Sequence, residues 1–129
     1  MSKLDKESVI GISALLVHAA KIDENYSDHE KEIIKEFIKS YLKDENSDKI
    51  LKKGEEIEKN SNQLLNYTNI IKQNSLEIKK DIIEHLWKVI ISDNTVDQYE
   101  SNLMRRICGL IYFPDKECAE IKLKLINSK

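Results

Sequence analysis

The chain has 129 residues, a hydrophobic fraction of 40%, a charged fraction of 34% and a formal net charge of -2. This length suits one domain with one core, and the interspersed acidic and basic residues exclude the basic face that nucleic-acid-binding domains normally carry. Only three Gly and one Pro are present, too few turn residues for a sheet built from hairpins, so the composition predicts an all-α fold.

The first 42 residues predict two amphipathic helices joined by a short polar segment. Apolar residues recur every three or four positions in the range 4–22, which predicts the first helix. Polar residues 23–25 end it. Ser27 followed by Glu30 has the pattern of a capping box, in which two side chains bond to free backbone N–H groups at the start of a helix. The second helix is therefore expected to run from Ser27 to about Leu42.

The middle of the chain predicts two less regular helices. Ser47 is a candidate cap for a third helix with Ile57 on its inner face. This face carries few apolar residues. Gly54 in its interior costs about 1 kcal/mol relative to Ala, which predicts an irregular helix. Apolar residues then recur from Leu64 onwards and predict a short fourth helix that ends near Asn74.

The last third of the chain predicts three more helices. The fifth begins at Ser75 and carries so many apolar residues, from Leu76 to Ile91, that we expect it to be the central and most buried one. The sixth helix ends near Phe113. Pro114 suits the first turn of a helix, so a seventh helix is expected over 115–126, with Ile126 facing inward.

A short acidic pattern occurs twice. Asp23 is followed seven positions later by Glu30, and Asp93, 70 positions after the first copy, is followed in the same way by Glu100. The apolar positions around the two copies also correspond, with repeat units of about 8–42 and 78–112. The sequence therefore predicts one domain over 1–129, with about seven helices and a pseudo-twofold repeat of a helix-loop-helix unit.

Two interpretations of this acidic pattern remain open. If the copies converge, Asp23, Glu30, Asp93 and Glu100 would supply four hard oxygen ligands, with Ser27 and Asp97 as further candidates, a set that suits Ca²⁺, Mg²⁺ or Mn²⁺ better than Zn²⁺. Alternatively, these side chains only cap helices and bind loop amides. An EF-hand is nearly excluded, because neither copy has the Gly at its sixth position or the Glu at its twelfth.

Other chemistry has little support in the sequence. His18, His29 and His85 have no metal-ligand spacing, and Cys108 and Cys118 lack a CxxC pattern. We expect both thiols to be packed and reduced. No phosphate-binding loop or nucleophile motif is present, so the chain is not expected to be an enzyme. No segment of about 20 apolar residues is present, which predicts a cytoplasmic protein without a membrane span.

The paired motifs resemble a known family. Residues 15–23 and 81–93, each followed by a Glu at the same offset, and the continuation 100–111 are similar to the TerB-like domains associated with tellurite resistance, with closest similarity to their uncharacterised stand-alone branch. The resemblance implies a bacterial, cytoplasmic domain of about seven helices that acts in stress responses, with relatives fused to membrane proteins.

The resemblance also implies metal binding, which has been proposed for that family. Carried over residue by residue, the implied ligands in this chain are Asp23, Glu30, Asp93 and Glu100. The chain departs from the family pattern where Glu24 and Asn94 replace the usual Gly.

Two functional hypotheses follow. The first is a non-catalytic domain that binds a divalent cation through its acidic loops. The second is a structural scaffold that contacts a protein partner or forms a homodimer, and whose acids only cap helices. Association with a membrane would then occur through such a partner. An exposed apolar patch on the third or seventh helix would favour the scaffold, whereas convergence of the four carboxylates without intervening Lys or Arg would favour the cation.

Overall fold

The part of the chain described by the computed structural model folds into seven α-helices and contains no strand, which confirms the all-α prediction. The helices are α1 Lys6–Lys21, α2 Asp28–Tyr41, α3 Ser47–Asn60, α4 Leu64–Lys72, α5 Leu76–Ile91, α6 Gln98–Leu110 and α7 Asp115–Asn127. The structure describes residues 4–21, 26–43, 45–60, 64–91 and 98–127, with side chains for all of these except 64–67 and 98–101. None of the described helices is both long and apolar enough to cross a membrane.

Short polar side chains fix where several helices begin. The Asp5 carboxylate accepts a hydrogen bond from the Ser8 N–H at 2.7 Å at the start of α1. The prediction that Ser47 caps the third helix is wrong. Asn46 takes this position, because its side-chain oxygen accepts the Asp48 N–H at 2.9 Å, and Ser47 is the buried first residue of α3.

Two helices share the centre of the bundle. α5 packs against α1, α2, α4 and α7, as expected of a central helix, but α1 packs against α2, α3, α4 and α5 and is buried without interruption from Gly11 to Val17. The prediction that α5 alone is central is therefore corrected. The apolar periodicity of α1 underestimated its burial because Gly11, Ser13 and Ala14 are small residues that let neighbouring helices approach closely.

α3 is continuous, so the irregularity expected at Gly54 is not observed. Gly54 is buried where α3 crosses α1. A Cβ atom added there would lie 3.0 Å from the Ser13 Cβ and 3.2 Å from the Ala14 backbone nitrogen. The glycine thus permits the close approach of two helices, and the packing of α3 on α1 compensates for its low helix propensity.

Three residues that were expected to face inward are exposed: Ile57 at 40%, Leu76 at 53% and Ile126 at 41%. The buried stripe of α3 passes through Ile50, Leu51 and Gly54, and Ile57 lies at its edge. In α7 the inner side is formed by Cys118, Ile121 and Leu125, and the next residue is rotated by about 100°. The three predictions failed because the sequence spacing does not show which apolar residues at the edge or the end of a helix contact another helix.

A tight turn links α6 to α7. Tyr112 has a φ of 59°, in the left-handed region, and the Phe113 N–H donates to the Cys108 carbonyl at 2.8 Å. This arrangement is typical of a helix C-terminus. Pro114 precedes the first residue of α7, Asp115, as predicted, and its carbonyl accepts the Cys118 N–H at 3.1 Å. The turn therefore places the start of α7 beside the end of α6.

Candidate acidic site

The structure describes part of the predicted acidic site. The side chains of Ser27 and Glu30 are described, at the start of α2. Asp23, Asp93 and Asp97 lie outside the described residues. Glu100 belongs to α6, but its side chain also lies outside the described part. The predicted convergence of the two copies therefore stays a prediction.

Ser27 and Glu30 form the predicted capping box. The Ser27 side chain accepts the Glu30 N–H at 3.4 Å, and the Glu30 Oε1 atom accepts the Ser27 N–H at 2.8 Å and the Ser27 hydroxyl at 3.0 Å. Glu30 is buried, with 4% of its surface exposed. A charged side chain is thus fixed at the N-terminus of α2, where the helix dipole favours negative charge.

Acidic residues of α3 approach the same corner of the bundle. The Tyr26 hydroxyl donates to Glu55 Oε2 at 2.7 Å, and burial, this hydrogen bond and the charge of Glu30 raise the pKa of Tyr26 above its usual value. Glu58 is also close enough to add to this effect. The start of α2 and the middle of α3 therefore bring three carboxylates around one tyrosine.

Basic groups partly neutralise this corner. Lys21 Nζ lies 2.9 Å from Glu58 Oε1, and His18 Nδ1 lies 3.4 Å from Glu58 Oε2. The ammonium groups of Lys31 and Lys21 stand over the Tyr26 ring, 5.1 Å and 5.9 Å from its centroid. Among the described side chains, no group of three or more His, Cys, Asp or Glu residues has the geometry to hold a metal ion. A cation site here would therefore need ligands beyond the described ones.

Comparison with known families identifies the family of the chain. Residues 10–123 match the sequence profile of the family described as Tellurite resistance protein TerB. The chain belongs to the TerB family. The match begins within α1 and ends within α7, and its range includes the positions of both acidic segments. The chain has no significant match among curated proteins or among solved structures.

The histidines of the TerB domain lie in different surroundings. His29 is exposed at the start of α2, and His18 pairs with Glu58. His85 is buried in α5, where its Nδ1 lies 2.9 Å from the Asp81 carbonyl and 3.3 Å from Asp81 Oδ1. The His85 ring also meets the edge of Phe37, with ring centroids 5.2 Å apart. His85 is thus part of a packed polar cluster.

Tyr41 completes this cluster and was not predicted from the sequence. Its hydroxyl donates to Asp81 Oδ2 at 2.6 Å, so Asp81 links Tyr41 of α2 to His85 of α5. The spacing of four between Asp81 and His85 is a local signal for contact on one helix face. The contact with Tyr41, 40 positions away, has no such signal.

Proposed function

We propose that this TerB domain is a non-catalytic domain that binds a divalent cation, Ca²⁺, Mg²⁺ or Mn²⁺. The proposed ligands are Asp23, Glu30, Asp93 and Glu100, with Ser27 and Asp97 as further oxygen donors. One observation supports the proposal: among the side chains that the structure describes, Glu30 is the only buried acidic one. A role in a bacterial stress response belongs to the same proposal and rests on the family relationship.

The surroundings of Glu30 explain why a cation would be favourable there. A buried carboxylate is costly unless hydrogen bonds or positive charge compensate it. Ser27 supplies two hydrogen bonds to Oε1, and Glu30 acts on Tyr26 together with Glu55 and Glu58. A divalent cation shared with Asp23 would add to the partial neutralisation by Lys21 and Lys31, and carboxylate oxygens are the ligands such ions prefer.

Calorimetric titration of metal-stripped protein with Ca²⁺, Mg²⁺, Mn²⁺ and Zn²⁺ tests the proposal. Glu30→Gln is the most informative variant, because Gln can keep the capping box but lacks the charge of a metal ligand. We expect micromolar binding of a hard cation, a loss of at least about tenfold in affinity in Glu30→Gln, and loss of binding in Asp23→Asn/Asp93→Asn.

Glu36→Gln, on the exposed side of α2, is the matched control for Glu30→Gln. It removes one carboxylate charge from the same helix and should leave both the capping box and the cation affinity unchanged. The proposal is wrong if no ion gives heat or raises the melting temperature. It is also wrong if Glu30→Gln and Asp23→Asn/Asp93→Asn bind as tightly as the wild type.

The scaffold remains the second candidate, and two observations favour it. The Ser27–Glu30 capping box is complete and gives Glu30 a structural role. In addition, α7 exposes Leu123 at 57% and Ile126 at 41% on its outer side. If the titrations show no cation binding, sedimentation of wild type and Leu123→Lys, compared across protein concentrations, would decide whether this side of α7 joins two copies of the chain.

A further inference from the structure

Two cysteines from neighbouring helices are in contact. Cys108 lies in the last turn of α6 and Cys118 in the first turn of α7, and the tight turn at Tyr112 brings the two together. Both thiols are free and buried, with exposed fractions of 1% for Cys108 and 6% for Cys118. The two thiols are close enough for each to shift the pKa of the other. The expectation of packed, reduced thiols is thus met, but as a contacting pair.

The surroundings of Cys118 favour its thiolate. Its sulfur interacts with the Cys108 thiol and accepts a hydrogen bond from Trp87 Nε1 at 3.3 Å. These two interactions lower the pKa of Cys118 against the effect of its burial. Lys122 lowers it further, and Asp115 opposes it. The interaction with Cys118 and burial raise the pKa of Cys108, so Cys118 is the more readily ionised thiol of the two.

Small molecules can reach Cys118 from solvent. Cys118 lines a surface cavity of about 510 Å³, together with Trp87, Met104, Arg105, Asp115 and Lys122. Lys122 stands over the Trp87 ring, with its Nζ 5.2 Å from the centroid. Cys108 is not among the residues that line the cavity. The two thiols therefore differ in access as well as in surroundings.

We propose that Cys118 is a site of oxidation by hydroperoxides and that Cys108 is the thiol that resolves it. The Cys118 thiolate attacks the terminal oxygen of the hydroperoxide, and the O–O bond breaks. The alkoxide leaves and takes a proton from solvent, and Cys118 becomes a sulfenic acid. The Cys108 sulfur then attacks the Cys118 sulfur and displaces its oxygen, which leaves as water with the Cys108 proton.

The net reaction converts two thiols and one hydroperoxide into a disulfide, an alcohol and water. The disulfide requires the two sulfurs to approach to the S–S bond length of about 2.05 Å. The disulfide would join the end of α6 to the start of α7 across the turn at Tyr112.

Hydrogen peroxide added to the reduced 129-residue chain at neutral pH tests this proposal. Mass spectrometry should show the loss of two hydrogens per chain, and peptide mapping should find Cys108 joined to Cys118. In Cys108→Ser the sulfenic acid should persist, so that dimedone labels Cys118. In Cys118→Ser the remaining Cys108 thiol should survive the same treatment.

Trp87→Phe separates activation of Cys118 from simple proximity to Cys108. It removes the indole N–H and keeps an aromatic ring, so we expect alkylation of Cys118 by iodoacetamide to slow by about threefold to tenfold. Circular dichroism of each reduced variant establishes that it is folded. Survival of both thiols in excess peroxide would overturn the proposal. Labelling of Cys108 before Cys118, or disulfides only between chains, would also overturn it.

Discussion

Replacement of Gly54 by Ala tests whether α1 and α3 pack as closely as the structure shows. In an isolated helix this change would add about 1 kcal/mol of stability, because glycine is a poor helix former. Here the new Cβ would meet the Ser13 Cβ at 3.0 Å and the Ala14 nitrogen at 3.2 Å. Both atoms belong to or adjoin the backbone of α1, so neither can move aside without separating the helices.

The opposing effects can be compared in size. Overpacking of a buried contact typically costs about 1–3 kcal/mol. The higher helix propensity of Ala relative to Gly stabilises the helix by about 1 kcal/mol. We therefore expect Gly54→Ala to lower the free energy of unfolding by up to about 2 kcal/mol. For a domain of this length, that corresponds to a fall of up to roughly 8 °C in melting temperature.

Gly109→Ala is the matched control. Gly109 is exposed near the end of α6, and a Cβ there would meet no other atom within 4 Å. We expect this variant to be more stable than the wild type, by up to about 1 kcal/mol. Urea unfolding followed by circular dichroism measures both changes. If Gly54→Ala is stabilised as much as Gly109→Ala, the close contact of α1 with α3 is refuted.

Two further predictions concern the caps and the buried histidine. Ser27→Ala should cost about 1 kcal/mol in urea unfolding, because the capping box loses its hydroxyl. Although burial of His85 opposes its charged form, hydrogen bonds to Asp81 raise its pKa above 6.5. The folded state therefore binds the proton more tightly than the unfolded chain. This contribution to stability should be complete below about pH 6.5 and lost as the pH rises through the folded-state pKa.

Each of these predictions has a control on the same helix or of the same residue type. Ser40 is an exposed serine of α2 that does not cap it, so Ser40→Ala should change the stability by less than about 0.5 kcal/mol. Equal losses in Ser27→Ala and Ser40→Ala would contradict the role of the cap. The pH dependence above pH 6.5 should disappear in His85→Gln and persist in the exposed-site variant His29→Gln. The reverse result would contradict the role of His85.

Local signals in the sequence determined much of the secondary structure. The capping box of Ser27 and Glu30 was predicted because its partners are three positions apart, and the start of α7 was predicted because Pro114 fixes its own backbone angle. The apolar periodicity located α1 and α5 for the same reason, since residues three and four apart share a helix face. The predicted cap of α3 was wrong by one residue, because Asn46 and Ser47 are both residue types that cap helices.

The tertiary structure decided the contacts between helices. Gly54 lowers the helix propensity of α3 taken alone. Where α3 crosses α1, however, the close contact leaves little space for a side chain at this position. The sequence separates Tyr41 from Asp81 by 40 positions and Cys108 from Cys118 by ten, and in neither case does a local pattern predict contact. Such pairs depend on how whole helices pack. That packing is set by the burial and hydrogen bonding of the whole chain, which together minimise its free energy. A local pattern of residues records only which side of its own helix is apolar.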